Sequence, residues 1–308
     1  MDYGFLNNRI NGSIDFYQRN TSDLLMPRSL PVSTGYKTTW QNIGKTRNTG
    51  LEIALNTVVI DNGNFRWNID ATFAYNKNQI VELFNGKEDS PGNNWFIGKP
   101  FYVDRLYKYA GVWQLGEEEE AGVYGRVPGN PKVEDVNKNG KYDEEDLSIY
   151  NKIPKFTAGL STGFYYKGFD LNIYLYSRLD YGEVLGVLTT EAGSSRTNHL
   201  DVDFWTPENP TNESPKPVLS NSQDLLVKSD YAYRDLSFVR VKNINLGYTL
   251  PLHVSQKILS NRLRVYFLVD NPFIITGKKY VGLDPENCNS YTDHRPLTSF
   301  VFGVNASF

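Results

Sequence analysis

Phe300, Phe302, Val304, Ala306 and Phe308 alternate with Val301, Gly303, Asn305 and Ser307. A period of two sends such sets to opposite faces of a sheet, so the chain ends in a strand with one aromatic face and one small or polar face. The same two-faced pattern recurs upstream. Leu51, Ile53, Leu55, Thr57 and Val59 share one phase, as do Phe65, Trp67, Ile69, Ala71, Phe73 and Tyr75. Phe156, Ala158, Leu160, Thr162, Phe164 and Tyr166 repeat it, and Phe169, Leu171, Ile173 and Leu175 follow directly after the Lys167-Gly168 turn.

The connections sort by length. Segments 24–43, 80–154, 179–234 and 274–296 are long, and they alternate strictly with the short turns 7–9, 61–64, 167–168 and 251–260. A soluble sandwich has no reason to place all its long loops at one end. An up-and-down membrane barrel does, with short periplasmic turns and long extracellular loops. A strand that ends the chain on Phe308 also suits a wall with lipid on one side and a polar lumen on the other. The expected fold is therefore all-β: an antiparallel up-and-down transmembrane β-barrel. An apolar phase change near Lys242-Asn243 predicts a bulge within a strand over 235–250. Nine strands can be counted, and Met1–Leu6 starts inside one of them. The whole of 1–308 thus reads as the C-terminal portion, about 9–10 strands, of a roughly 22-stranded barrel rather than a closed nine-stranded one.

Composition agrees. The 308 residues include 21 Tyr and 17 Phe, and mean hydropathy is −0.47. No run of about 20 apolar residues exists for a transmembrane helix; a barrel escapes that test, because half of each strand faces a polar interior. The net charge of −3 and the lack of a basic stripe argue against nucleic acid. The single Cys288 excludes an internal disulfide. Asp2–Asn8 lacks the charged and apolar regions of a secretion signal, so the start of the protein is expected upstream.

Seven segments, in order, carry a family likeness: NIGKTRNTGLEIAL (42–55), FRWNIDATFAYNKNQIVEL (65–83), PKFTAGLSTGFYYKGFDLNIYLY (154–176), SFVRVKNINLGYTLP (237–251), the strand end Asp270-Asn271, Gly282-Leu283-Asp284-Pro285-Glu286, and the terminal Phe308. Together they resemble the C-terminal barrel half of SusC-like TonB-dependent receptors. The resemblance implies outer-membrane uptake of glycans (sometimes peptides), a SusD-like surface lipoprotein as partner, and coupling to the TonB complex through an N-terminal plug that is missing here. It makes 80–154 and 179–234 the expected contacts for the lipoprotein lid. Pro272 departs from the leucine usual after the strand-end asparagine, which is tolerable at the end of a strand.

Asp135, Asn137, Asn139, Asp143 and Asp146 occupy positions 1, 3, 5, 9 and 12 of a calcium-loop template, with Gly140 at position 6. The expectation is Ca2+ held to stiffen a loop, against the plain alternative of a solvated turn rich in Asp and Asn. Trp40, Trp95, Tyr107, Tyr109, Trp113 and Trp205 lie in or beside loops. Of these, Trp95, Trp113, Tyr107 and Trp205 are the candidate sugar-stacking residues, against the alternative that they pack loops together. Glu117–Glu120 and Asp143–Asp146 are adjacent acids rather than carboxylates facing each other across a cleft. His199, His253, His294 and Cys288 form no catalytic spacing. The chain therefore reads as a non-enzyme. A secreted, calcium-dependent carbohydrate-binding β-protein is the alternative, and a passive porin a more distant third. A second sheet covering the apolar face would favour the secreted protein.

Overall fold

The computed structural model describes residues 1–30, 32–186, 188, 202–217, 224–278, 280–282, 284–288 and 296–308. Nine strands form one sheet: β1 (Asp2–Phe5), β2 (Ile10–Ser29), β3 (Thr38–Asp61), β4 (Phe65–Glu82), β9 (Phe156–Tyr166), β10 (Phe169–Leu179), β13 (Phe238–Thr249), β14 (Arg262–Thr276) and β15 (Ser299–Ser307). They pair in that order, each antiparallel to the next, as an up-and-down wall. Among the described residues the sheet is not closed.

Register makes the two faces continuous. Tyr166, Phe169, Tyr248, Val265 and Val304 form one row across five strands, and Phe65 extends it onto β4. The next row runs Trp67, Phe164, Leu171, Leu246, Phe267, Phe302. A one-residue slip anywhere would turn a strand over, and no strand is turned over. The apolar face is bare: Phe16 is 75% exposed and Phe302 74%. No second sheet covers it among the described residues. At roughly 3.3 Å per residue, the apolar stretch from Phe65 to Tyr75 is about 33 Å long. Tilted by about 40°, it rises about 25 Å, the height of the lipid-facing band of an outer-membrane barrel. Aromatic contacts mark both rims, with Phe65, Trp67 and Phe164 at the short-turn end and Phe73, Tyr75 and Phe156 at the other.

The expected bulge is present. Val241 faces Leu175 and Asn243 faces Tyr174, so Lys242 is the extra residue against β10, whereas β14 sets two residues, Asn271 and Pro272, against it. The long segment 24–43 is a correction. Most of it is strand, because β2 runs to Ser29 and β3 begins at Thr38, leaving only residues 30–37 as connection. A bulge near Asp23, whose φ is +57, resets the register, and pairing continues through Pro27 opposite Trp40. Beyond Ile14 one edge of β2 has no strand partner among the described residues, and an edge strand tolerates proline.

The two longest connections are folded rather than irregular. Residues 83–155 contain β5 (Val103–Tyr107) paired with β8 (Leu147–Asn151), β6 (Tyr109–Val112) paired with β7 (Pro131–Val133), and a short helix, Glu118–Val123. The connection after β10 contributes β11 (Gly182–Val184) paired with β12 (Tyr233–Asp235). The packed core lies here. Val112, Trp113, Ala121, Leu185, Trp205, Leu226 and Leu236 are buried, whereas the wall is a single sheet with no layer to bury it. Leu283, His199 and His294 lie outside the described residues, as do parts of 179–234 and 274–296.

Candidate functional site

The face opposite the lipid band is polar. Arg264 on β14 reaches across Gly247 on β13, a residue with no side chain to obstruct it, to Asp170 on β10, its Nε donating to Oδ1 at 2.9 Å. Tyr165 donates to Asn172 at 3.2 Å and Tyr17 to Asn76 at 3.2 Å. Higher on the wall, Asp15, Glu52, Thr72, Tyr174 and Arg178 line one hollow. This surface presents carboxylates, a guanidinium, hydroxyls and amides.

Near the mouth, the connection between β14 and β15 folds back onto the wall. Arg240, 3% exposed, donates from one Nη to both carboxylate oxygens of Asp284 at 2.8 and 2.7 Å, and that Nη lies 3.2 Å from Glu286. Tyr176 donates to Glu286, and Arg178 lies 3.5 Å from the same carboxylate. Two buried charges persist together because each neutralises the other. In the sequence, Asp284 carries only a family resemblance; in the structure it anchors this connection.

The two longest connections dock on each other through Asp230. Its Oδ1 accepts from Tyr109 N–H at 2.7 Å and its Oδ2 from the Tyr150 hydroxyl at 2.6 Å. Burial raises the Tyr150 pKa, and the Asp230 contact raises it further. Backbone bonds between Tyr107 and residues 228 and 230 run alongside. Asn212 Oδ1 accepts from Val112 N–H at 2.7 Å, and Tyr233 donates to the Asn151 carbonyl at 2.7 Å. Lys152 bridges Asp104 at 3.4 Å and Glu183 at 3.1 Å. Sequence reasoning missed Asp230 and Asn212. Nothing local marks them, since their partners lie about a hundred residues away.

The four aromatic candidates are not brought together as one surface. Trp113 is 3% exposed, with Lys132 Nζ 4.0 Å above its ring and Tyr124 beside it. Trp205 is 4% exposed and donates to Gln114 Oε1 at 3.0 Å. Both are occupied in loop packing and present no open ring face to a sugar. Trp95 is half-buried against Phe101, and Tyr107 is half-buried near Tyr142.

The template loop is compact. Asp135 accepts from Asn139 N–H at 3.2 Å and Gly140 N–H at 2.8 Å, and also from the Tyr124 hydroxyl at 3.0 Å. Burial is the largest single influence on its pKa and acts upward, but the hydrogen bonds together outweigh it and lower the pKa. Asn139 Nδ2 donates to Asp143 at 2.8 Å. Asp146, fully buried, accepts from the N–H groups of Val136 at 2.8 Å and Asp143 at 3.0 Å. Among the described residues, no three carboxylate, imidazole or thiol groups converge as a metal cluster. The donors are hard oxygens of the kind calcium takes, two of them from the amides of Asn137 and Asn139.

Comparison with known proteins gives a consistent answer. The family described as TonB dependent receptor-like, beta-barrel, matches residues 1–271. TonB-dependent receptor SusC of Bacteroides thetaiotaomicron is 32% identical over the whole of this chain, which covers 31% of that protein. TonB-dependent receptor P3 of Formosa agariphila is 31% identical, again over the whole chain and 33% of its own length. The RagAB peptide transporter structure superposes with a TM-score of 0.79 at 25% identity, over 100% of this chain and 34% of that one. The chain therefore spans about a third of the length of these relatives. It belongs to the TonB-dependent receptor β-barrel family of the outer membrane.

Proposed function

We propose that the receptor to which this chain belongs imports oligosaccharides across the outer membrane, driven by TonB through a plug that the chain does not include. The observation that carries this reading is the match to SusC over the whole of this chain, on a wall that is apolar outside and polar inside. The chain then acts as conduit and extracellular mouth, not as an enzyme. A SusD-like surface lipoprotein would close over the docked connections 83–155 and 180–237. Trp95 and Tyr107 are the two of the four aromatics that keep ring surface near the mouth. Deleting the full receptor gene should abolish growth on one glycan and the uptake of its labelled oligosaccharide. Normal uptake of every glycan tested, with loss of peptide uptake instead, would favour a second reading. That reading, a peptide cargo, draws support from the likeness to the RagAB peptide transporter.

A calcium ion in the 135–146 loop belongs to the same proposal, with Asp135, Asn137, Asn139, Asp143 and Asp146 as its oxygen ligands. Its support is the pair of amide hydrogen bonds that aim the Asp135 carboxylate, together with the hard-oxygen donor set. With the full receptor, chelator should speed protease cleavage within 135–146 and added Ca2+ should reverse it. Cleavage indifferent to chelator would remove the ion from the reading.

A further inference from the structure

Within the outward band, every residue from Phe65 to Tyr75 on β4 and from Leu51 to Thr57 on β3 that shares the lipid-facing phase is uncharged. The first charges met in that phase, going toward the mouth, are Lys77 and Arg47. Lys77 lies opposite Thr49, Arg47 lies opposite Gln79, and Thr49 and Arg47 continue the phase of Leu51. Lys77 and Arg47 are therefore diagonal neighbours on adjacent strands, within reach of a shared ligand. By strand rise and tilt they stand about 5 Å and 10 Å above Tyr75, the depth of lipid headgroups beyond the hydrocarbon.

Their surroundings favour a ligand over a protein partner. Arg47 Nε donates to Asn20 Oδ1 at 2.9 Å, which fixes the guanidinium and leaves its Nη groups unused by any ion pair among the described residues. Lys77 is exposed, with no carboxylate paired to it among the described residues. Glu82, further toward the mouth on β4, is already held by Lys45 at 2.7 Å. Gln18 and Gln79 flank the pair with further amide donors. Below, Leu51, Phe73 and Tyr75 provide an apolar surface on the same face.

We propose that Arg47 and Lys77 form a binding site for a phosphorylated headgroup of the outer leaflet, its acyl chains lying on Leu51, Phe73 and Tyr75. A guanidinium takes two phosphate oxygens in parallel, and an ammonium adds a compact charge beside it. A phosphate ion free in solution would gain the cations but none of the apolar surface, so the lipid is the favoured occupant. The site depends on the outer-membrane placement of the wall and not on what cargo the receptor carries.

The test uses the full receptor, purified in detergent and titrated with bisphosphorylated lipid A, with the same lipid dephosphorylated, and with inorganic phosphate. The native receptor should retain the phosphorylated lipid over the dephosphorylated form. The double variant R47Q/K77Q should bind it about 30-fold more weakly, at roughly fivefold for each cation near an anionic surface. Unchanged heat-modifiable migration of the variant reports that the barrel still folds, and Lys77→Gln alone supplies the measurement if the double variant does not. Equal binding by native and variant receptors, equal retention of both lipid forms, or displacement of the lipid by millimolar inorganic phosphate would each overturn the site.

Discussion

Asp230 is the residue on which the extracellular architecture turns. One carboxylate satisfies a main-chain N–H of one long connection and a hydroxyl from the same connection 41 residues further on, Tyr109 and Tyr150. Replacing it by Ala strands both donors, at roughly 1–3 kcal/mol for each left unpaired. Asp230→Ala should therefore leave the barrel intact and expose 83–155 and 224–237 to protease on whole cells; unchanged protection would deny Asp230 this role. Cys288 gives a second expectation at this scale. Burial, then the nearby Glu183 carboxylate at 3.7 Å, pushes its thiol up to about 11 from an ordinary 9.0. The reactive species is the thiolate, so alkylation at pH 8 should run roughly a hundredfold slower than for a free thiol and speed up as pH rises toward 11. Ordinary thiol kinetics would show that the connection around Cys288 opens. Neither feature was legible beforehand. Burial and charge at these residues come from segments distant in sequence, and no spacing rule links Asp230 to Tyr109.

Strands, by contrast, announce themselves, because alternation is local and the lipid makes it strict. The phase change at Lys242 was readable for the same reason. The outer halves of β2 and β3 were not, because Pro27 and the Asp23 bulge break the pattern where the wall leaves the membrane. Within the strands, glycines on the lumenal face serve neighbouring aromatics. A Cβ at Gly50 would lie 2.4 Å from the Tyr17 ring, and one at Gly303 would lie 2.3 Å from Tyr266. The tyrosine lies flat over the gap and fills it, which substitutes for the packing that a single-layer sheet lacks. Gly50→Val should push Tyr17 off, break its 3.2 Å bond to Asn76 and cost about 1–3 kcal/mol. Urea unfolding of the full receptor in detergent reads that loss. A midpoint unchanged from the native receptor would mean that Tyr17 packs elsewhere at no cost.

At the scale of the molecule, the solvents on the two sides decide what each position tolerates. Ile69 lies near the middle of the Phe65–Tyr75 band in the lipid-facing phase, while Thr72, three residues on, has the lumenal phase and is exposed. A lysine on the lipid face at mid-depth costs roughly 2–4 kcal/mol, because its charge must reach a headgroup or remain in hydrocarbon. A lysine on the lumenal face meets water. Both substitutions add the same side chain to the same strand, so propensity and size cancel in the comparison, and what remains is the medium. Ile69→Lys should therefore lower the folded fraction of the full receptor in outer membranes, read by heat-modifiable migration and urea titration. Thr72→Lys should leave it near the native value. The opposite ranking would mean that the apolar face looks inward, and with it would go the lipid band, the placement of Arg47 and Lys77 at the headgroups, and the polar face as the lumenal one.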